Sequence, residues 1–324
     1  MYGEIALIRG RGAPGLAREI SETLRVPLTQ ASIGEFPNEN IYVQLQESVR
    51  ARDVFIIQPT CRPVNRNLVE LLILIDTVRR ASAGLITAVM PFYAYARSDK
   101  KDKPRVPITA RLVADMVCRA GASRFMTVDL HAGQIQGFFD IPGDELTVFP
   151  LLSAYIAGLN IPNLVVVAAD LGFAKKARNF AEALHAPVAF VEKRRKGTET
   201  DSLTVIGDVR DCNVVIVDDE VDVGGTMLGA AQILRQSGAK DIYASFVHPT
   251  FSRGAVENLA SAGFAQLVCT NTEPIPPGTR AKLPNLRVLH LGEWLGNIIG
   301  AVHRGQSVAD VLAHYEPDYG RICN

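Results

Sequence analysis

The sequence carries no surplus of charge of either sign: 34 Lys+Arg residues balance 34 Asp+Glu. Proteins that grip nucleic acid or anionic membrane through their overall field usually show a basic excess, so both partners are disfavoured. Cysteine is sparse and scattered. Cys61, Cys118, Cys212, Cys269 and Cys323 are odd in number and form no C-x-x-C pair, which argues against a disulfide scaffold or zinc finger and fits a reducing compartment. No hydrophobic run approaches a membrane span, since the most apolar stretch, 68–78, is interrupted by Glu70 and Asp76. The first residues lack the basic-then-apolar order of a signal peptide, and no low-complexity tract appears. The expectation from these absences is a cytoplasmic protein with neither a membrane nor a nucleic-acid partner.

What is present is ample core material: 48% of residues are hydrophobic and 21% charged, so disorder is not expected. At roughly 150 residues per domain, 324 residues suggest two domains. Short apolar runs at 4–8, 54–58, 85–91, 125–130, 164–168, 188–191, 214–217, 242–247 and 266–269 read as strands. Several are apolar almost throughout, as parallel strands covered on both faces require. Helical patterns fall between them at 15–24, 67–80, 108–120, 174–184, 226–237 and 253–261. This alternation predicts an α/β fold with mainly parallel sheets flanked by helices. The segment 140–144 is the best boundary candidate, and the charged, Gly-containing segment 192–201 reads as a loop. The spacing of Leu and Ile over 67–80 needs only core packing.

The sharpest chemical signal is Val214-Val215-Ile216-Val217-Asp218-Asp219-Glu220-Val221-Asp222-Val223-Gly224-Gly225-Thr226. An apolar strand delivers acids to its carboxyl end, where ligands gather in open α/β sheets. Two glycines then let backbone N–H groups approach a phosphate at the positive end of a helix. Asp218 and Asp219 suit sugar hydroxyls, which donate hydrogen bonds, or a hydrated Mg²⁺. The competing reading is an ordinary strand–turn–helix with a solvated acidic rim; the run of acids ahead of the glycines favours function.

This stretch resembles the ribose-binding signature of type I phosphoribosyltransferase folds. Further segments are similar to the ribose-phosphate diphosphokinase (PRPP synthetase) family over nearly the whole chain: Ala81-Ser82-Ala83-Gly84, the run from Tyr95 to Lys103, the run from Pro107 to Asp115, and Val128-Asp129-Leu130-His131-Ala132-Gly133-Gln134-Ile135-Gln136-Gly137-Phe138-Phe139-Asp140. The resemblance implies two similar type I-like domains, 1–147 and 148–303, with a tail 304–324 packing on the first and the active site between them. It implies ATP- and Mg²⁺-dependent transfer of diphosphate to the C1 hydroxyl of ribose 5-phosphate. Asp218, Asp219, Asp222, Val223, Gly224, Gly225 and Thr226 match the sugar-phosphate site. Arg97, Ser98 and Asp99 match the nucleotide segment, with Phe36, Asn38 and Asn40 contacting adenine from a neighbouring subunit. His131 and Asp170 match metal–ATP positions, and Lys193, Arg195 and His131 catalytic ones. Ser48, Arg50, Lys101, Arg105 and Ser307 match a phosphate/ADP regulatory site in a homo-oligomer, a hexamer. On composition alone, the 97–105 segment and the Lys193-Arg194-Arg195-Lys196 run would be solvated charge, and His131 a structural histidine.

Three departures stand out. Val223 replaces a threonine, removing a hydroxyl donor worth roughly 1.5–3 kcal/mol if nothing replaces it. Phe36-Pro37-Asn38-Glu39-Asn40 stands where the family has Phe-x-Asp-Gly-Glu, and Ser98 replaces a glutamine. Ala168-Ala169-Asp170-Leu171-Gly172-Phe173 replaces Ser-Pro-Asp-x-Gly-Gly, putting the bulk of Phe173 where glycine permits close approach. Pro104 also replaces a small polar residue in the regulatory segment. The rival readings are a non-catalytic regulatory subunit, a diphosphokinase with altered sugar or nucleotide specificity, and, less favoured, a free phosphoribosyltransferase.

Overall fold

The computed structural model describes residues 3–194 and 202–323. In chain order the elements are β1 (Ile5–Arg9), α1 (Pro14–Leu24), β2 (Ala31–Glu35), β3 (Ile41–Leu45), β4 (Asp53–Ile57), α2 (Val64–Arg80), β5 (Leu85–Met90), α3 (Thr109–Ala120), β6 (Arg124–Val128) and β7 (Gly143–Leu146). There follow α4 (Phe149–Gly158), β8 (Leu164–Ala168), α5 (Ala174–Ala183), β9 (Val188–Arg194), β10 (Ser202–Ile206), β11 (Asn213–Glu220), α6 (Gly225–Gln236), β12 (Ile242–His248), α7 (Ala255–Ala262), β13 (Gln266–Thr270), α8 (Thr279–Lys282) and β14 (Leu286–Leu289). The chain ends in α9 (Gly292–His303), α10 (Val308–Ala313) and α11 (Tyr319–Ile322).

Two compact units result. The first comprises 1–146, 272–274 and 290–317, and the second 147–271, 275–289 and 318–324. In the first, five parallel strands run in the order β1-β4-β5-β6-β7. β4 is buried at all five positions, as expected of a strand covered on both faces. In the second unit the order is β10-β9-β8-β11-β12-β13-β14, with only the β9–β10 pair antiparallel. Each sheet is flanked by helices, with its own apolar core. The α/β architecture is the one the strand–helix rhythm predicted.

Three boundary expectations change. The 140–144 segment does not separate domains, because β7 begins within it and completes the first sheet beside β6. The 148–303 assignment also places too much in the second unit: α9 belongs to the first, packed on α1. The cause is close helix approach, since a Cβ at Gly292 would meet Glu19 Cβ at 2.0 Å and one at Gly296 would meet Thr23 Cβ at 2.8 Å. Of the 304–324 tail, residues up to 317 belong to the first unit. Beyond them, Tyr319 donates to Leu151 O at 2.7 Å within the second.

Candidate active site

In the second unit the chemistry gathers at the carboxyl ends of two neighbouring strands. Val214 to Val217 of β11 are completely buried between β8 and β12, which fixes the strand and aims its polar end outward. Asp218 and Asp219 lie near the carboxyl end of β11, which Glu220 closes. Ala168 of β8 lies opposite Val217, so Asp170 emerges on the same edge two residues later. Asp218 Oδ1 accepts from Asp219 N at 2.9 Å, and Asp219 is 5% exposed. Burial, then the negative charges of Asp219 and Asp170, push the Asp218 carboxyl well above the usual carboxylate range. Such a cluster is relieved by a cation or by ligands that donate hydrogen bonds. Among the described residues, no group of three or more His, Cys, Asp or Glu is arranged to hold a metal by itself. One or two oxygen ligands completed by substrate phosphate and water fit Mg²⁺, which seldom has an all-protein cage.

The chain then turns through Val221, Asp222 and Val223 into α6. Gly224 takes a φ of +72°, and a Cβ there would lie 3.2 Å from Ala255 O, so both conformation and space favour glycine. An added Cβ at Gly225 meets nothing within 4 Å, leaving that face of the turn open. The N-cap of α6 is Gly224, which has no side chain to cap the helix, so among the described residues its first-turn N–H groups are left to an anion. Thr226 is exposed beside them. Val223 holds an apolar side chain 51% exposed at this polar turn.

The departure at Phe173 is resolved differently from expectation. Its N–H donates to Asp170 Oδ1 at 3.0 Å, and its ring is 6% exposed. The ring lies 5.6 Å from that of Phe149, with Lys176 Nζ 5.6 Å above it. The bulk of Phe173 is therefore taken into packing, because an aromatic ring gains more from apolar contact than from projecting over a polar edge. Lys193, expected in the 192–201 loop, instead lies in β9 opposite Leu203, where the antiparallel pairing extends the strand. Arg195 lies outside the described residues.

In the first unit, the 95–103 segment follows β5 and the 128–140 segment begins at the end of β6. They are fastened together: Gln134 Nε2 donates to Asp99 Oδ2 at 2.6 Å, with Asp99 7% exposed. Asp129 is buried with a φ of +39°, a costly conformation for a non-glycine residue, and its N–H donates to Leu146 O at 2.8 Å. Leu130 N donates to Glu145 Oε1 at 3.1 Å, which holds the start of the segment carrying exposed His131. Arg97 is likewise exposed. Ser98 has a local task, accepting from Thr109 N at 3.2 Å at the start of α3.

Phe36, Asn38 and Asn40 occupy the exposed tip of the β2–β3 hairpin. Phe36 is 53% exposed and lies 5.0 Å from the Tyr42 ring, and Asn38 Oδ1 accepts from Asn40 N at 3.3 Å. At the base of the tip, Glu35 accepts from Arg11 Nη2 at 2.9 Å, while Arg11 Nε donates to wholly buried Glu70 at 2.5 Å. Ser48 and Arg50 follow β3, with Arg50 N donating to Ser48 Oγ at 3.4 Å. Lys101 and Arg105 are exposed in the segment after Asp99, and Arg105 has a φ of +64°. Ser307 caps α10 by accepting from Asp310 N at 3.2 Å. Sequence reasoning missed the role of Gln134, although it lies within the 128–140 motif, and those of Arg11 and Glu70, for which the charge of Glu70 inside an apolar run was the one signal.

A family model for the N-terminal domain of ribose phosphate pyrophosphokinase matches residues 5–121, and one for the phosphoribosyl synthetase-associated domain matches 196–313. A ribose-phosphate pyrophosphokinase of Parasynechococcus marenigrum (strain WH8102) is 45% identical over 311 residues, covering 95% of this chain and 93% of the relative. One from Clostridium perfringens (strain 13 / Type A) is 46% identical over 278 residues, covering 85% and 87%. The crystal structure of phosphoribosylpyrophosphate synthetase from Mycobacterium smegmatis superposes with a TM-score of 0.89 at 41% identity, covering 93% of this chain and 99% of that one.

Proposed function

The chain belongs to the ribose-phosphate pyrophosphokinase family, and from that premise we infer that it makes PRPP and AMP from ATP and ribose 5-phosphate. The C1 hydroxyl oxygen of the sugar attacks the β-phosphorus, and its proton is released to solvent. The bond from that phosphorus to the α,β-bridging oxygen breaks, and AMP leaves. The observation that carries this reading is the turn from β11 into α6, where carboxylates precede an uncapped helix N-terminus. The N–H groups there, with Thr226, hold the 5-phosphate, while Asp218 and Asp219 accept from ribose hydroxyls. Asp222, Val223, Gly224 and Gly225 shape the turn.

Arg97, Ser98 and Asp99 take the nucleotide, and Phe36 with Asn38 and Asn40 serves adenine by stacking and amide hydrogen bonds. Lys193 and Arg195 neutralise charge growing on the transferring group. His131 and Asp170 are the residues proposed to hold Mg²⁺, which when bound offsets the charge of the triphosphate. Ser48, Arg50, Lys101, Arg105 and Ser307 form an effector site for phosphate or ADP in a homo-oligomer, a hexamer. An unchanged phosphate response in Arg105→Ala would remove that assignment. No observation favours the regulatory-subunit reading. No described helix is long and apolar enough to cross a membrane. The test of the activity is chromatographic: AMP should appear only when ATP, Mg²⁺ and ribose 5-phosphate are all present. AMP release independent of the sugar phosphate would overturn the reading.

A further inference from the structure

An anion cradle made of backbone N–H groups works only if the carbonyl oxygens of the same turn point elsewhere, because a carbonyl facing a phosphate repels it. The turn ahead of α6 meets that demand through the connection from β12 to α7. Phe251 N donates to Val221 O at 3.0 Å, and Ser252 N donates to Asp222 O at 2.9 Å. Val223 O accepts from the side chain of Asn258, Nδ2 to O, at 2.8 Å. Three successive carbonyls immediately before Gly224 are thus tied to one segment. The first two bonds come from backbone and are indifferent to side-chain identity. The third depends on an asparagine, and it holds the peptide that leads into the positive-φ glycine.

The amide is oriented by its partner: a carbonyl only accepts, so the nitrogen of Asn258 must face Val223. Asn258 lies in the first turns of α7, on the same surface that crowds Gly224. A Cβ on that glycine would meet Asn258 Cβ at 3.4 Å and Ala255 O at 3.2 Å. The segment therefore both bounds the turn and fixes its carbonyls. Phe251 itself is 3% exposed with a φ of +40°, an unfavourable backbone state maintained where it supplies the first of these donors.

We propose that Asn258 is a positioning residue for sugar-phosphate binding, holding the Val223 carbonyl away so that the following N–H groups face the phosphate. This rests on the assignment of the turn to ribose 5-phosphate. Asn258→Leu keeps the side-chain shape and removes the donor; Asn258→Asp keeps the shape and places a carboxylate against a carbonyl. Loss of one neutral hydrogen bond corresponds to about 2- to 12-fold in an equilibrium constant. Asn258→Leu is expected to raise the ribose 5-phosphate KM by that factor and Asn258→Asp by more, while kcat and the ATP KM stay within about twofold.

Lys282→Met supplies the control for general loosening of α7. It breaks the 2.6 Å ion pair between Lys282 and Glu257 on that helix and leaves Asn258 in place; the sugar-phosphate KM should not move. Binding is also read directly by phosphorus NMR titration of ribose 5-phosphate without ATP. Equal affinity in Asn258→Leu and the unaltered protein overturns the proposal, as does an equal loss in Lys282→Met. If the unaltered protein binds ribose 5-phosphate but forms no AMP, the proposed reaction fails and the role of Asn258 is still decided by the titration. If it does not bind the sugar phosphate, the site assignment and this inference fall together.

Discussion

Replacing Arg11 by methionine tests how the first unit holds the hairpin that carries Phe36. Glu70 is wholly buried in α2 and accepts from Arg11 Nε at 2.5 Å, Arg11 N at 2.6 Å and Gln58 Nε2 at 3.2 Å. Arg11→Met leaves the last two donors and removes the only cation paired with Glu70 among the described residues. Deleting one member of a buried ion pair costs about 3–5 kcal/mol, because the remaining charge is stranded away from water. Arg11 is 25% exposed, so the lower end, about 3 kcal/mol, is expected. The other arm of Arg11 reaches Glu35, which is 30% exposed, and pairs of that kind contribute about 0.2–1 kcal/mol. Glu35→Gln should therefore cost under about 1 kcal/mol. Arg11→Met combined with Glu70→Gln should recover much of the loss, since a neutral amide still accepts from Arg11 N. Trp294 is the only tryptophan of the chain and is 2% exposed in α9, so its fluorescence during urea unfolding reports on this unit. Similar small losses in Arg11→Met and Glu35→Gln, with no recovery in the double variant, would refute the reasoning.

Two further outcomes follow from the second unit. Val223→Thr restores a hydroxyl beside the anion cradle and should lower the ribose 5-phosphate KM by about tenfold or more, the equivalent of a hydrogen bond to a charged group; an unaltered KM would mean that no donor is missing there. Asp218→Asn should raise stability at about pH 8, measured without divalent cation or sugar phosphate, and leave it unchanged near pH 4. The sign follows from the raised Asp218 pKa: the folded state keeps a proton that the unfolded state loses near about pH 3.9, so native stability falls as pH rises through that window and the neutral variant escapes the fall. Thermal unfolding at both pH values checks this, and an equal shift at the two would contradict it.

Much of the parallel framework was legible because β4, β5, β8, β11 and β12 are apolar runs with few competing patterns. The hairpin β2–β3 was not, since its residues are only half-buried or exposed and alternate weakly. α9 was missed for a different reason. Gly292, Gly296 and Gly300 lower helix propensity, yet the first two are what allow α1 to approach so closely. In the site, the acids and glycines around β11 could be read from order alone, because strand, turn and helix follow one another in the chain. The ties of Gln134 to Asp99 and of Asn258 to Val223 could not, because each joins residues 35 positions apart that only the fold brings within a hydrogen bond. The fate of Phe173 was equally hidden: the residue type announced bulk, but only Phe149 and Lys176 determined where the bulk would go.

The central claim is diphosphoryl transfer, and phosphorus NMR of the purified protein with ATP, Mg²⁺ and ribose 5-phosphate tests it most directly. The expected spectra show AMP and an anomeric sugar diphosphate growing together in equal amounts as ATP declines. ADP with a singly phosphorylated C1, or no turnover under these conditions, would contradict it.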